Sequence, residues 1–433
     1  MIPRWAISAA AVASVALMTL GTWHLGLHSD DYFMVRPHSW VELRHVWHGT
    51  WDWGHVWPPY FRPLAVWANE ATFLLTGDSA VALRLVVALE LLAVAVLLGY
   101  FVGRELRSPL VGAFAAALIT AHPAASLSMG WYFQQNHRWA AAATLVACLC
   151  WQRLRRAPSA TAWWPIHAAV LIGALFKEEV LAVEPMLLLW QWMRARWIGD
   201  VPRPSVRMAV ALGVGCGVFL WVRSFLLGGF GGELDELGPL AGLPYRIVWS
   251  MYSGLLRFRD LHANTSPVLW LASASTAALW ILGGVVVWRR RSHATLLVAQ
   301  GLTLAVASAS LASVAVPWYT RHHLIAIGGV LIASALLAGV LEYAAPRRRA
   351  IAAAIALTLL VTSLLASRSM LLAYGPCDPH TLDEDRHVAT WIGPSPVPEF
   401  QWVPPWLDRK ALLCASPADH DDAAAVRRGE IIR

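Results

Sequence analysis

The stretch SAVALRLVVALELLAVAVLLGYFV, residues 79–102, decides the fold class of this chain. It is apolar over the length of about 20 residues that crosses a hydrocarbon core of roughly 30 Å as one helix. Similar runs recur along the 433 residues, of which 58% are hydrophobic and only 14% are charged. None of the long runs alternates apolar with polar positions, as the strands of a membrane barrel would. The sequence therefore predicts an all-α polytopic protein that lies in a lipid bilayer.

The apolar runs predict about eleven transmembrane helices in one membrane domain, residues 1–373. The first run is long for a signal peptide and has no small-residue cleavage site before His28, so we expect a retained helix. Arginine clusters occupy alternate connecting segments, and the positive-inside rule places these segments and the N-terminus in the cytoplasm of a bacterial-type inner or plasma membrane. The predicted spans are residues 5–27, 79–102, 108–127, 138–152, 161–176, 179–193, 208–228, 267–288, 294–316, 323–341 and 350–372.

The first outer loop, residues 28–78, is predicted to carry two helices on the membrane surface. The segment VELRHVWHGTWDWG, residues 41–54, is amphipathic, and its tryptophans suit the head-group layer of a bilayer. A second helix is predicted over Ala65–Leu75, and Gly77 ends it. Together the two helices would form a platform over the outer side of the bundle.

The tail, residues 374–433, is predicted to be an extracytoplasmic segment that is rich in proline and has no sustained periodicity. It holds Cys377 and Cys414, for which an outer compartment permits a disulfide. The net charge of +7 is of the sign that nucleic-acid binding requires. The arginines nevertheless form short clusters between spans, which is a signal of topology, so no nucleic-acid partner is expected.

Two adjacent carboxylates, Asp30 and Asp31, follow the first predicted span directly. One interpretation is that they are a hydrated pair of acids at a helix end, with no catalytic function. As catalytic groups, they would place a general base at the water boundary, where a lipid-linked substrate presents its head group. Because neighbouring carboxylates repel each other, the proton affinity of one of them tends to rise, which suits a base that works near neutral pH.

Basic side chains are predicted to face the same side at the ends of three other spans. Arg138 begins the fourth span, Lys177 follows the fifth, and Arg321 precedes His322 at the head of the tenth. Each of them has an ordinary interpretation as an anchor whose charge reaches the membrane surface. Three basic side chains together, opposite a carboxylate pair, could stabilise the negative charge of a phosphate leaving group.

Metal binding receives little support from the sequence. His24 and His28 lie four residues apart with Asp31 close by, but no third ligand is specified. We predict no metal site, and the residues leave open whether a divalent cation takes part. No glycine-rich phosphate loop and no nucleophile elbow is present in the sequence.

Five motifs follow one another along roughly residues 28–330. They are the acidic pair of SDDY, the YFRPL string Tyr60–Leu64, the set His122, Pro123, Trp131 and Arg138, the set Lys177, Glu178 and Pro185, and Arg321 in WYTRHHLIAIGG. In this order they resemble motifs of the TMTC-type protein O-mannosyltransferases and their bacterial relatives in the GT-C glycosyltransferase superfamily. The chain departs from that pattern because His323 stands in place of an aromatic residue and the C-terminal tetratricopeptide repeats of many relatives are missing.

This resemblance implies a GT-C-like bundle that moves a hexose or pentose, with inversion, from a polyprenyl-phosphate carrier to a hydroxyl group on the outer face of the membrane. The acceptor, whether protein, lipid or glycan, stays open. Asp30 would be the catalytic residue, with Asp31 beside it. The residues implied to bind the donor phosphate are Arg138, Lys177, Arg321 and His322, and those implied to support them are Arg62, Glu178, His122 and Trp131.

Two functions of other classes compete with a transferase. A transporter or flippase of lipid-linked sugars would also have many spans, but it would carry ionisable residues near the middle of the membrane and broken helices in its two halves. For this function the sequence offers Arg84, Glu90, Glu184 and Arg223 within predicted spans, without an evident inverted repeat. A non-catalytic scaffold for envelope assembly would use the tail as a docking arm.

Overall fold

The computed structural model describes residues 3–20, 22, 38–49, 60–77, 79–122, 132–155, 163–227, 247–248, 251, 267–287, 292–315 and 323–373. Every regular element among these residues is helical. The α-helices are α1 (Trp5–Thr19), α2 (Trp40–His45), α3 (Pro63–Thr76), α4 (Ala80–Glu105), α5 (Pro109–Ala121), α6 (Gln135–Leu154), α7 (Trp164–Phe176), α8 (Val183–Trp197), α9 (Val206–Leu227), α10 (Pro267–Val287), α11 (His293–Ala315), α12 (His323–Tyr343) and α13 (Pro346–Ala373). Two short 3₁₀ helices, Tyr132–Gln134 and Glu178–Ala182, precede α6 and α8.

The prediction of a helical membrane protein is confirmed over the described residues. A helix lies in each of the eleven predicted segments, and five helices are long and apolar enough to cross a bilayer. The number of eleven crossings stays a prediction. The five apolar stretches are Val81–Glu105, Trp270–Val287, His293–Ser310, His323–Tyr343 and Pro346–Arg368.

One predicted boundary is wrong by four residues. The helix expected over 179–193 begins only at Val183 and continues to Trp197, because a 3₁₀ helix occupies Glu178–Ala182. The backbone of Lys177 is extended, with φ −159° and ψ 125°, and this breaks the path from α7 into α8. The charged segment that begins at Lys177 therefore connects two apolar helices. Its polar side chains can contact neighbouring elements there.

Both helices predicted for the first loop are present, although α2 is shorter than predicted, and their place on the membrane surface stays a prediction. Ser39 caps α2 by accepting a hydrogen bond from the Glu42 backbone N–H, and the Glu42 carboxylate accepts from the Ser39 N–H. The Trp67 side chain of α3 donates to the Leu43 carbonyl at 3.1 Å, which joins the two helices. Gly77, at φ 49°, ends α3 in a conformation that glycine adopts without strain.

Close backbone contact joins α11 to α12. A Cβ atom added to Gly301 would lie 2.6 Å from the Gly328 carbonyl oxygen, and one added to Gly328 would lie 2.7 Å from the Gly301 carbonyl oxygen. Only glycine therefore fits at this crossing, as is common where membrane helices approach closely. The two glycines thus allow α11 to pack closely against the N-terminal part of α12.

The bundle has two polar ends. At one end, which we call the knot end, Glu105 of α4 accepts hydrogen bonds from Gln152, Arg155 and Arg194. Arg194 also donates to both carboxylate oxygens of Asp200, at 2.9 and 2.6 Å. The Glu105 side chain is fully buried, so these contacts tie the ends of α4, α6 and α8 together. The opposite end holds the side chains described next.

Candidate functional site

A buried polar cluster joins five separate segments at the end of the bundle opposite the knot. Its members come from the start of α3, the start of α6, the segment between α7 and α8, the C-terminal part of α9 and the start of α12. We call it the cationic cluster, and it consists of Arg62, His137, Lys177, Glu178, Glu179, Arg223 and His323.

Arg62 and Glu178 form a two-pronged ion pair within the cationic cluster. The Arg62 Nε donates to Glu178 Oε2 at 3.1 Å, and an Nη donates to Oε1 at 2.9 Å. The guanidinium also lies over the Tyr60 ring, 3.9 Å from its centroid. Arg62 directly precedes Pro63, which opens α3 and whose nitrogen needs no hydrogen bond. The pair holds the first loop against the segment that follows α7.

Burial alone would raise the pKa of Glu178, but the charges around it have the opposite and larger effect. Arg62, through its charge and its hydrogen bonds, and then Arg223 and Lys177 lower the pKa of Glu178 to about 2. The same carboxylates, Glu178 and Glu179, raise the pKa of Arg62 in spite of its burial. Both members of the pair therefore stay charged at every pH at which the protein would be active.

We expect the Arg62–Glu178 pair to stabilise the fold in a pH-dependent way. A carboxyl whose pKa is lower in the folded state stabilises the protein above its ordinary pKa, and this contribution is lost as the pH falls from 4.5 towards 2. Glu178→Gln should therefore unfold at a lower temperature than the wild type at pH 6, and the difference should shrink below pH 4.5. The measurement is the Tm of the detergent-solubilised protein between pH 3 and 6. Glu342→Gln, at an exposed position, is the control, and an unchanging difference for Glu178→Gln would contradict the assignment.

Lys177 and His137 form a second close pair. The Lys177 Nζ lies 2.7 Å from Nε2 and 3.2 Å from Nδ1 of the His137 ring. An ammonium group can only donate, so Nε2 accepts and the ring hydrogen is assigned to Nδ1. The Glu179 carboxylate lies 4.0 Å from Lys177 and 3.9 Å from His137, and the His323 ring centroid is 6.1 Å from that of His137. A neutral imidazole thus orients a buried cation.

The charge balance of the described part of the cluster favours an anion. Arg62, Lys177 and Arg223 are positive, whereas Glu178 and Glu179 are negative, so one net positive charge remains among these groups. All of these except Glu178 are less than a tenth exposed. In such surroundings a charge interacts more strongly with a ligand than it would in water. A phosphate group is the kind of ligand that this arrangement attracts.

Arg138 belongs to a different buried network. Its Nε donates to Glu90 Oε2 of α4 at 2.7 Å, and an Nη donates to the Tyr132 carbonyl at 3.2 Å. Glu90 Oε1 accepts from Gln135 at 2.6 Å and from the Trp139 indole at 2.9 Å. The structure thus gives this guanidinium a carboxylate partner inside the bundle, although Arg138 directly follows His137 of the cationic cluster in the sequence. Its predicted contact with a donor phosphate stays a prediction.

The structure brings together Lys177, Arg62 and Glu178 of the residues predicted from sequence. His122 is buried at the C-terminal end of α5, where it follows the last helical residue. The cluster members that the sequence analysis did not assign to the transferase site are His137, Glu179, Arg223 and His323. His137 stands in the polar string Gln134–His137, which is the one signal that could have found it. Asp30, Asp31, Trp131, Arg321 and His322 lie outside the described residues.

The end of α1 lies on the same side as the cationic cluster. Val15 and Met18, in its last turn, pack with Leu83 and Val87 of α4 and with Tyr132, which begins the turn into α6. The chain therefore leaves α1 at this end of the bundle. Asp30 and Asp31 follow the helix by about ten residues in the sequence.

A further buried contact joins α7, α8 and α9. The His167 Nδ1 lies 2.5 Å from Glu184 Oε1, and the Cys216 thiol donates to Glu184 Oε2 at 3.1 Å. Gly215 makes room for the imidazole, since a Cβ atom there would lie 2.3 Å from the ring. Within the described ranges, no group of three or more His, Cys, Asp or Glu side chains is placed to hold a metal ion.

Comparison with known proteins identifies no relative: no family model matches the chain, and no curated protein or solved structure matches it.

Proposed function

We propose that this protein is an integral-membrane glycosyltransferase that moves a monosaccharide from a polyprenyl-phosphate carrier to an acceptor hydroxyl on the outer face of the membrane. The observation that carries the proposal is the cationic cluster, in which, among the described residues, three basic side chains accompany two carboxylates at the end of the bundle where α1 ends. The five ordered motifs that resemble those of the GT-C superfamily also support it, and three of the cluster residues stand in them.

Lys177 and Arg223 would bind the donor phosphate. Arg321 and His322, which directly precede α12 in the sequence, would also bind it. Arg62 is already paired with Glu178, so its part is to hold the segment 177–182 in place. Fixed positive groups stabilise the charge that develops on a departing phosphate, and this is the larger part of the catalysis that we expect here. In this proposal the cluster faces the outside, and the knot end faces the cytoplasm.

The reaction would be a single displacement. The acceptor hydroxyl oxygen attacks the anomeric carbon as the bond between that carbon and the phosphate oxygen breaks. The electron pair of the broken bond leaves with the polyprenyl phosphate, which is a stable anion and needs no proton. Asp30 takes the proton of the acceptor hydroxyl, and Asp31 raises its affinity for that proton. The configuration at the anomeric carbon is inverted.

A transporter of lipid-linked sugars is the second candidate, and one observation favours it. The four ionisable residues that such a function would use are all buried in the bundle: Arg84, Glu90, Glu184 and Arg223. Glu90 forms an ion pair with Arg138, and Glu184 contacts the His167 ring and the Cys216 thiol. Contacts that are fixed inside the bundle in this way favour an enzyme that acts at the membrane surface over a transporter, which would need ionisable groups that move.

The deciding experiment reconstitutes the full-length protein in vesicles with polyprenyl-phosphate hexose that is labelled in the sugar. We expect the label to appear in an acceptor and bare polyprenyl phosphate to be released. Movement of intact labelled donor between leaflets, without cleavage, would support the transporter instead. An extract that contains protein, lipid and glycan fractions serves as the acceptor source, and the labelled fraction then identifies the acceptor class.

A further inference from the structure

Three consecutive amide side chains lie buried where α6 begins. Gln134, Gln135 and Asn136 are 4%, 2% and 2% exposed. Each keeps one polar atom that finds no hydrogen-bond partner among the described residues, namely Gln134 Oε1, Gln135 Oε1 and Asn136 Nδ2. Buried polar atoms are rarely left unpaired, since each loses its contacts with water. Three in a row at one helix start indicate a group that the described part of the chain does not supply.

The orientation of two of these amides is fixed by their other contacts. The Gln135 Nε2 donates to the Glu90 carboxylate at 2.6 Å and to Thr72 Oγ1 at 3.2 Å, so its carbonyl oxygen is the unpaired atom. The Asn136 Oδ1 accepts from the His137 backbone N–H at 2.8 Å, so its amino group is the unpaired atom. A flipped amide would place like groups against each other in both cases.

The unpaired atoms require a ligand that both donates and accepts hydrogen bonds. Two carbonyl oxygens need donors, and one amino group needs an acceptor. An ionised phosphate only accepts, so it could pair with Asn136 but not with Gln134 or Gln135. A group with several hydroxyls does both. His137 follows Asn136 directly and contacts Lys177, which places the amides beside the cationic cluster.

We infer that Gln134, Gln135 and Asn136 bind the hydroxyl groups of the monosaccharide while the cationic cluster holds the phosphate to which it is attached. This inference rests on the proposed function, because it assigns the residues that would recognise the monosaccharide of the donor. A polyol and an anion would then be recognised by adjoining sets of residues, and the amide set would determine which sugars are accepted.

The test measures binding and not transfer, so that its outcome does not depend on catalysis. The Kd of the purified full-length protein is determined for polyprenyl-phosphate hexose and for bare polyprenyl phosphate, and the ratio of the two values reports the sugar contacts alone. The variants are Gln134→Met, which keeps the size of the side chain, and Asn136→Asp, which keeps the acceptor for the His137 N–H. Gln300→Met is the matched control, because Gln300 is a fully buried amide on α11 without a described partner for its side chain.

We expect the wild type to bind the sugar-bearing lipid more tightly than the bare lipid. Each variant should reduce this preference by about tenfold, which is the size of effect that one lost hydrogen bond produces. The Gln300→Met control should keep it. A wild type that does not distinguish the two lipids, or variants that retain the full preference, would overturn the inference. If the preference follows the amides and no sugar is transferred in the vesicle assay, the proposed function fails while the sugar site stands.

Discussion

Replacing Asp30 with asparagine is expected to leave the protein folded and able to bind its donor, while the rate of sugar transfer falls by roughly 10² to 10⁴-fold. The amide has nearly the shape of the carboxylate but cannot accept the proton of the acceptor hydroxyl. The measurement is single-turnover transfer with purified protein and polyprenyl-phosphate hexose, together with the Kd for the donor.

The neighbouring variant Asp31→Asn serves as the comparison for this prediction. Removing the charge of Asp31 lowers the proton affinity of Asp30 without removing the base, so we expect a smaller loss and a pH profile that shifts towards lower pH. Turnover of Asp30→Asn at the wild-type rate would refute the assignment of the base. Loss of donor binding in the same variant would indicate a role in recognition instead.

The second large effect is expected at the knot end, on stability. Glu105→Ala leaves Arg155 and Arg194 without the carboxylate that both of them contact. Breaking a buried ion pair by removing one partner typically costs about 3–5 kcal/mol, because the remaining charge stays buried and uncompensated. We therefore expect a large fall in the Tm of the detergent-solubilised protein.

The control for the knot is Asp200→Asn. The Asp200 side chain is 30% exposed, and in its absence Arg194 still contacts Glu105, so the loss of stability should be much smaller. A triple variant in which Glu105, Arg155 and Arg194 are all methionine should recover part of the lost stability, since the one charge that loses its partner, Asp200, is partly exposed to solvent. Equal Tm values for Glu105→Ala and the wild type would contradict the structural role of the knot.

The positions of the helices could be predicted from the sequence, because hydropathy over 20 residues is a local property. The alternation of arginine clusters also placed Arg155 and Arg194 on one side. What that reasoning missed is that these two side chains turn inward to share Glu105. Arginines at a helix end form the same sequence pattern whether they are exposed to solvent or paired with a buried carboxylate.

The candidate site could be predicted only in part, for a similar reason. Lys177 and Glu178 stand in a charged break between apolar helices, which the sequence displays directly. Arg138 is also at a helix start, yet it binds Glu90, which lies 48 residues earlier in the chain. His137 was not singled out because its contact with Lys177 depends on how α6 packs against α7. Pairings across the bundle depend on packing angles that no local pattern specifies.

The pairing of Glu90 with Arg138 has a consequence for how the protein enters the bilayer during synthesis. Glu90 emerges from the ribosome 48 residues ahead of Arg138, so α4 must be integrated while its acid is still alone. An ionised residue near the centre of an entering helix opposes insertion by about 3 kcal/mol. An 18-residue stretch within Val81–Glu105 has a mean hydropathy of 2.6, which offsets that opposition. We therefore expect the charge of Glu90 to be neutralised only after α6 has entered the bilayer beside α4.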